Sequence, residues 1–390
     1  MLLRGGTVFD GVDAVGTADV LVRDGRIAAV GRELSSGDDE QLVDCTGLTL
    51  VPGLIDAHVH LAWAGIDAPP GDVDASYARA RDNAVLLLHA GVTTVRDTGG
   101  PAEVLSPLAW QLRGGEISGP DPIHCGRILC APDGHGTEVS LAVTIARECS
   151  GTTGFRDGVH EQLSAGARFI KVALNGADGR VQLTRDELLA VVDEAHRAGA
   201  GVACHASVHS AVALAVECGV DTIEHGNGLD SELARRMANT GITLIPTVAI
   251  FSELKQRLDS SEDELLSPEQ IRAHRRAAEQ RVREHPPALA AAVEAGVAVG
   301  FGTDRVPGGH VVGIDAEAVA LSKSGLSSTA ILRAATSVNA QALGLDDRGV
   351  IRVGARADIA AFRGDVMGNV SLLNHPAFVV QRGTVVLNEG

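Results

Sequence analysis

The sequence predicts an α/β protein, a (β/α)8 TIM barrel with a small β-sandwich domain formed from both chain ends. In the middle of the chain, apolar runs alternate with amphipathic helical stretches. Such alternation indicates a parallel sheet covered on both faces, and eight repeats over about 250 residues fit a closed barrel. The two ends instead consist of short strand-like runs joined by Gly and Asp turns. A length of 390 residues also favours one large domain plus a smaller one.

The β-sandwich domain is expected to comprise residues 1–50 and 346–390. In the first range, VRDGRI carries the Asp-Gly pair that is typical of a tight hairpin. In the second, ADIAAFRG and AFVVQRGTVVLNEG are strand-like runs separated by turn residues. The two ends are therefore predicted to form one small β-rich domain.

The barrel is expected to comprise residues 51–345. Its predicted strands are apolar runs such as GLIDAHVHL, RFIKVAL and DTIEHG, and its helices include TRDELLAVVDEAHRAG. In that helix Thr184 and Glu187 have the capping-box spacing, and Gly199 is a C-terminal stop. A doubly wound open sheet is the alternative. The barrel is favoured because no GxGxxG follows the first strand of this region.

Composition and charge limit the partners and the location. A formal net charge of −17 repels nucleic acids and anionic membranes, so a small-molecule substrate is the expected partner. The N-terminus lacks the apolar run of a secretory signal, and no stretch approaches the roughly 18 apolar residues that span a bilayer. Six cysteines without a CxxC pair are expected to be buried, in a cytoplasmic protein. The charged segment 251–287 is expected to be a solvated helix pair, a lid or the contact of a homo-oligomer.

Ionisable side chains occupy the ends of five predicted barrel strands, where barrel enzymes carry their working groups. His58 and His60 are two residues apart, so their side chains point to the same side of one strand. Singly, a strand-end His is often structural, and an Asp can cap the following helix. Together, six such groups favour a metal site, because imidazole and carboxylate suit Zn, Fe, Mn or Ni. The six residues are His58, His60, Lys171, His205, His225 and Asp304.

Lysine is rare in this chain. Only Lys171, Lys255 and Lys323 occur among 33 cationic residues. Lys171 lies within the apolar run FIKVAL, and a partly desolvated lysine has a lowered pKa and supplies a neutral amine, which arginine cannot do. Taken alone, Lys171 could equally be a surface lysine, so the residues leave open whether it has a chemical role.

The chain resembles the amidohydrolase superfamily over nearly its whole length. The motifs that carry the resemblance are PGLIDAHVHL at the first barrel strand, IEHG at the sixth, GTD at the eighth, and GLDDRGVIRVGARADIAAF where the chain returns to the β-sandwich. The segment GVTTVRDTGG is similar to the imidazolonepropionase-like and prolidase-like group, which contains Xaa-Pro and Xaa-Arg/Lys dipeptidases.

This resemblance implies two divalent metal ions, with Zn²⁺ the expected metal. It implies that a hydroxide bridging the two ions attacks the substrate, and that Asp304 is the catalytic group that takes the proton and hands it to the departing amine. The implied ligands are His58, His60 and Asp304 for the first ion, His205 and His225 for the second, and N-carboxylated Lys171 as the bridge.

Three further residues are weaker candidates. His135, in the Gly-His-Gly loop after the third strand, is either a substrate-binding group or a plain loop histidine. Arg305, beside Asp304, is either a contact for an anionic substrate or a salt-bridge partner. Asp56 shares the strand face of His58, and is either a partner of the metal ligands or a buried turn carboxylate.

The leading functional hypothesis is hydrolysis of an amide (C–N) bond in a dipeptide or N-acyl amino acid. The glutamate that one-metal deaminases carry shortly after the His205 position is missing, and Lys171 argues against the one-metal imidazolonepropionase activity. An esterase, lactonase or organophosphate hydrolase on the same site is the alternative. A non-catalytic scaffold or metal-binding protein is less favoured, because all six ligands are retained. Tyr77 is the only tyrosine, so the relatives' preference for C-terminal Pro, Arg or Lys is not carried over.

Overall fold

The computed structural model describes residues 1–35, 37, 40–63, 72–137, 144–176, 178–260, 267–306 and 312–388. Strands in these ranges are β1 (Leu2–Phe9), β2 (Ala14–Arg23), β3 (Arg26–Gly31), β4 (Leu42–Asp44), β5 (Leu48–Pro52), β6 (Leu54–Val59), β7 (Val92–Asp97), β8 (Asp121–His124), β9 (Ile128–Cys130), β10 (Ala146–Glu148), β11 (Phe169–Ala173), β12 (Gly201–Ala206), β13 (Thr222–His225), β14 (Thr243–Ile245), β15 (Ile359–Arg363), β16 (Pro376–Gln381) and β17 (Thr384–Asn388).

The helices follow the strands in alternation through the middle of the chain. They are α1 (Val73–His89), α2 (Ala102–Gly114), α3 (Gly151–Ser164), α4 (Arg185–Arg197), α5 (His209–Cys218), α6 (Ser231–Ala238), α7 (Ala249–Ser260), α8 (Pro268–Ala295), α9 (Ile314–Lys323), α10 (Ser328–Arg333) and α11 (Asn339–Ala342). A π-helical turn, Ala334–Val338, joins the last two, and a 3₁₀ turn spans Val370–Leu372.

Strands from both ends of the chain form one mixed sheet. Its order is β17-β16-β15-β5-β1-β2-β3, with β4 beside β1. The β2–β3 hairpin turns at Asp24 and Gly25, whose φ angles of 50° and 73° are the conformation that an Asp-Gly pair favours in a two-residue turn. The expectation of a β-rich unit assembled from both ends is confirmed as this mixed sheet.

Parallel strands form the middle of the chain. β6, β7 and β8 pair in that order, and β10-β9-β11-β12-β13-β14 form a second run. The backbone N–H of Arg168 donates to the carbonyl of His124 at 3.0 Å, which connects the start of β11 to β8. β6, β11 and β13 are buried at every residue, as expected of parallel strands covered on both faces.

An irregular segment, 298–305, connects the last parallel strand to the first. The N–H of Leu244 in β14 donates to the carbonyl of Ala298 at 2.9 Å. The side-chain amide of Asn339 donates both to the carbonyl of Ile55 in β6, at 2.7 Å, and to a carbonyl of the segment, at 2.8 Å. The parallel strands therefore follow one another around a ring. Its ends are joined by backbone hydrogen bonds, such as that from the N–H of Ala57 to the carbonyl of Phe301 at 2.9 Å, and by the side chain of Asn339.

The predicted start and end of α4 are confirmed. Thr184 and Glu187 form a reciprocal capping box, and the chain leaves the helix through Gly199, which has a φ of 74°. The six cysteines are buried, as expected. Among the described helices, none combines the length and the apolar character needed to cross a membrane.

Candidate metal centre

The six predicted ligands converge on one cavity at the carboxyl ends of the parallel strands. Two of them come from or directly follow β6, one each from β11, β12 and β13, and one from the segment 298–305. All six line the same cavity: His58, His60, Lys171, His205, His225 and Asp304. Distant parts of the sequence are therefore brought to one place by the strand order.

Three of these side chains have the geometry of a metal-binding group. One ligand atom each from His58, His225 and Asp304 lie within 4.8 Å of one another. The Oδ1 atom of Asp304 is 3.4 Å from Nε2 of His58 and 3.4 Å from Nε2 of His60. His225, which the resemblance assigns to the second ion, thus lies in the same group as His58 and Asp304.

In three of the candidate histidines, the Nδ1 atom already has a hydrogen-bond partner within the protein. The Nδ1 atoms of His58, His60 and His225 lie 2.6 Å from Glu224 Oε2, 2.9 Å from the Gly99 carbonyl and 2.7 Å from Thr247 Oγ1, respectively. Burial lowers the pKa of His58 to about 4, which favours the neutral ring that binds metals. Fixing Nδ1 in this way leaves Nε2 for a metal, so the residues present fit the implied ions.

Two of the candidate ligands and one residue that contacts a ligand have a left-handed backbone conformation. His225, Thr247 and Asp304 have φ angles of 69°, 50° and 52°, a region that residues other than glycine rarely occupy. Each lies at or just beyond the end of its strand. Such strain costs on the order of 1–3 kcal/mol per residue and clusters at functional sites. Of the three, His225 and Asp304 line the cavity, and Thr247 contacts Nδ1 of His225.

The buried carboxylate of Glu224, which contacts Nδ1 of His58, is itself held by further hydrogen bonds. The guanidinium of Arg96 donates to Oε1 of Glu224 at 2.7 Å, and the hydroxyl of Thr222 donates to the same oxygen at 2.6 Å. Arg96 also donates to the Ala57 carbonyl at 2.6 Å. Burial alone would raise the pKa of Glu224, but the charges of Arg96 and its neighbours lower it, so this carboxylate is ionised. Sequence reasoning singled out neither Arg96 nor Glu224.

Lys171 is a buried lysine among the candidate ligands, with a relative exposure of 2%. Burial lowers the pKa of its amine, although the carboxylates of Glu224 and Asp304 act in the opposite direction. A neutral amine that faces the cavity is the form that can react with CO₂.

The predicted substrate contacts differ in their placement. The ring of His135 is stacked on that of His205, with centroids 4.2 Å apart, and lines the cavity. Arg305 does not line the cavity that the described residues form; its side chain is buried, with no hydrogen-bond partner for Nε. Asp56 accepts from the hydroxyl of Thr303 at 2.7 Å, and thereby supports the residue that precedes Asp304.

Helices α7 and α8, which overlap the charged segment 251–287 and extend beyond both of its ends, provide a further part of the cavity wall. They are a helix pair, as one of the expectations had it, and residues 261–266 lie outside the described residues. The contributing residues are Ile250, Phe251, Leu254, His274, Ala277, Ala278 and Arg281. Sequence reasoning proposed neither His274 nor Arg281 as a site residue, because no strand end carries them.

Comparison with known proteins agrees with this geometry. The sequence pattern of the amidohydrolase family matches residues 49–387. A prolidase solved with N-methylphosphonate-L-proline has a TM-score of 0.88 at 30% identity, over 99% of both chains. A Xaa-Pro dipeptidase solved with methionine in its active site has a TM-score of 0.88 at 26% identity, over 98% of both chains. Ochratoxinase from Aspergillus niger is 26% identical over 370 residues, which cover 85% of this chain and 73% of the relative. The chain therefore belongs to the amidohydrolase family of hydrolases.

Proposed function

We propose that this protein is a two-metal hydrolase that cleaves the amide bond of a dipeptide or N-acyl amino acid. The observation that carries the proposal is the group formed by His58, His225 and Asp304, whose ligand atoms lie within 4.8 Å of one another beside a buried lysine. Neutral imidazoles, a carboxylate and a potential carbamate form a donor set that suits Zn²⁺.

The proposed ligands are those that the family resemblance implies. His58, His60 and Asp304 would hold one ion, and His205 and His225 the other. When bound, the two ions would polarise the scissile carbonyl and lower the pKa of a water molecule to near neutrality.

Lys171 would bridge the ions as a carbamate. In that modification the neutral amine attacks CO₂, a nitrogen–carbon bond forms, one C–O π bond opens to leave its electron pair on oxygen, and the nitrogen gives up a proton to solvent. Burial supports this step because it lowers the pKa of the amine. The product is an anion, which suits a position between two cations.

Asp304 would move the proton. Burial raises its pKa, but His58, His60 and Lys171 together lower it by more, so the carboxylate is ionised at neutral pH. It can accept the proton of the attacking water and donate it to the departing amine nitrogen.

The substrate class is supported by the relatives. Their names or bound ligands point to dipeptides that end in proline, to methionine and to ochratoxin. Tyr77, the only tyrosine, donates to Gln111 at the contact between α1 and α2 and does not line the described cavity. Substrate binding must therefore rely on other side chains of the wall.

The domain division of the chain is part of what we propose. We infer a catalytic (β/α)8 barrel of residues 51–345, with a β-sandwich domain of residues 1–50 and 346–390. The ring of parallel strands and the mixed terminal sheet support this division.

Metal reconstitution tests the proposal. Protein stripped by a chelator is loaded with Zn²⁺ with and without ¹³C-bicarbonate, and hydrolysis of a panel of dipeptides and N-acyl amino acids is measured. We expect two zinc ions per chain, a carbamate signal in the ¹³C spectrum, and amide hydrolysis that requires both additions.

Two lysine variants separate a specific role from a general effect. Lys171→Met should lose the carbamate signal and the activity, whereas Lys323→Met, at an exposed position, should keep both. Wild-type protein that binds two zinc ions but hydrolyses no member of the panel would favour a metal-binding role instead.

A further inference from the structure

One face of α8 lines the cavity beside the candidate ligands. The residues at 274, 277, 278 and 281 follow the spacing that places side chains on one side of a helix. Two of them, Ala277 and Ala278, are small and apolar, and the facing residues of α7 are Ile250, Phe251 and Leu254. This part of the wall is therefore largely apolar, with Arg281 at one end of the helical row.

The guanidinium of Arg281 is held against an aromatic ring. Its Cζ atom lies 5.5 Å from the centroid of Phe251, in the range of a cation–π contact. The same ring lies 5.7 Å from the ring of His225. A single aromatic side chain thus contacts both the guanidinium and a candidate metal ligand.

Arg281 also lies near the candidate ligands. Its side chain lines the same cavity as His205 and His225, and the ring of Phe251 contacts both Arg281 and His225. An anion bound by Arg281 would accordingly lie close to the place where an amide bond is cut.

A guanidinium in apolar surroundings is well suited to one kind of group. Its planar fork matches a carboxylate with two parallel N–H···O bonds, and these bonds strengthen where water is excluded. With Lys171 carboxylated, Arg281 is the one permanent cation among the described residues that line the cavity.

We propose that Arg281 binds the free carboxylate of the amino-acid half of the substrate, with the apolar side chain of that half packed on Phe251 and Leu254. The substrates are then N-acyl amino acids, dipeptides included, that have an unblocked C-terminal carboxylate and an apolar C-terminal residue. This inference rests on the proposed amide hydrolysis and adds the recognition element to it.

Matched ligand pairs test the role of Arg281. N-acetyl-L-leucine, -methionine, -phenylalanine and -proline are compared with their carboxamides, by calorimetric binding to zinc-loaded protein and by rates of hydrolysis. We expect the wild type to prefer the carboxylates by about 10- to 100-fold, the range of a charge-assisted hydrogen bond. Arg281→Met should remove most of this preference, and Arg281→Lys should keep part of it.

The carboxamides serve as an internal control for folding, because they lack the group that Arg281 is proposed to bind. Their affinity should be unchanged in Arg281→Met, and Arg283→Met, at an exposed position of the same helix, should behave as the wild type with every ligand. A wild type without preference for the carboxylates, or a preference that survives in Arg281→Met, would overturn the inference. Binding that depends on Arg281 without hydrolysis of any ligand would instead refute amide hydrolysis and leave the carboxylate site standing.

Discussion

The Nδ1 atom of His58 lies 2.6 Å from Oε2 of Glu224, and both side chains are buried. Glu224 is in turn held by the guanidinium of Arg96, at 2.7 Å. Three strands are thus linked through one carboxylate: β6 supplies the imidazole, β7 the arginine and β13 the glutamate. The neighbour of Glu224 in sequence, His225, is itself a candidate ligand. The carboxylate therefore fixes the orientation of His58 and connects β6 and β13 to β7.

Glu224→Gln should weaken metal binding without removing a ligand. The amide lacks the negative charge that favours a protonated Nδ1 on His58, and it leaves the guanidinium of Arg96 buried without its anion. We expect zinc affinity to fall by about 10- to 100-fold, as for other partners of metal-ligating histidines. Competition with a chromophoric chelator measures this, and Glu232→Gln, at an exposed position, is the matched control. Unchanged zinc affinity in Glu224→Gln would mean that His58 needs no such support.

Much of the ligand set could be predicted because strand alternation and strand ends are visible in the sequence. The two-residue spacing of His58 and His60 places both side chains on the same side of the chain at the end of β6, and all six candidates line one cavity. The α/β fold could be predicted as well, because the alternation of helices and strands is also visible in the sequence. The predicted eighth strand, which ends in GTD, corresponds to the irregular segment 298–305. Backbone hydrogen bonds to β6 and the side chain of Asn339 hold this segment, and the position of Asn339 among helical residues gave no sign of its contact.

The supporting and recognition residues could not be predicted in the same way. Arg96 and Glu224 lie inside strand-like runs, and the sequence does not show whether a charged residue in such a run is buried or exposed. Their pairing also depends on where β7 and β13 lie relative to each other around the ring. Arg281 reaches the cavity only through the packing of α8 against α7. Such contacts between elements distant in sequence are set by tertiary packing, which local periodicity does not contain.

Asp304→Asn should separate metal binding from turnover. The amide oxygen can still coordinate a metal, but the group no longer accepts the proton of the attacking water. We expect most of the zinc to remain, and kcat to fall by about 10²- to 10⁴-fold, the usual contribution of a general acid or base. Elemental analysis and steady-state kinetics measure the two effects, with the exposed Asp82→Asn as the control. Full turnover in Asp304→Asn would remove this residue from the mechanism.

Gly302→Ala should disturb the site through packing alone. A Cβ atom at this position would lie 2.6 Å from the Cβ of His58 and 2.6 Å from a side-chain atom of Ile245, closer than such atoms approach. We expect a loss of about 1–3 kcal/mol in the free energy of unfolding, together with weaker zinc binding because His58 is displaced. Urea unfolding and zinc titration check both. At Gly114, in α2, nothing lies within 4 Å of an added Cβ, so Gly114→Ala should leave zinc binding unchanged and should not destabilise the fold; it should add up to about 1 kcal/mol because alanine favours a helix more than glycine does. Wild-type zinc affinity in Gly302→Ala would show that the added methyl group is accommodated without displacing His58.

Glu317 contacts the start of α7, and its protonation is expected to make the stability of the protein depend on pH. Its carboxyl group, in α9, accepts the backbone N–H groups of Val248 and Ala249 at 2.9 and 2.7 Å, where α7 begins. Burial raises its pKa to about 8, from a usual value of 4.5, so that in the folded protein this group keeps its proton over a range where the unfolded chain has lost it. The folded state then binds more protons than the unfolded state between these two values. The contribution to stability is complete below about pH 4.5 and is lost as the pH rises towards 8.

Glu317→Gln should therefore change the pH dependence of unfolding and not only its midpoint. Glutamine cannot ionise, so the stability lost by the wild type as the pH rises, at most about 1.4 kcal/mol per pH unit for one proton, should be absent from the variant. Measured by urea unfolding between pH 5 and 9, the wild type should lose its advantage over Glu317→Gln as the pH increases, because the titration of all other groups cancels in the difference. Glu253→Gln, at an exposed position of α7, should keep the pH dependence of the wild type. A constant difference between wild type and Glu317→Gln across this range would mean that Glu317 has the same proton occupancy in the folded and unfolded chain, and that it anchors α7 through its two hydrogen bonds alone.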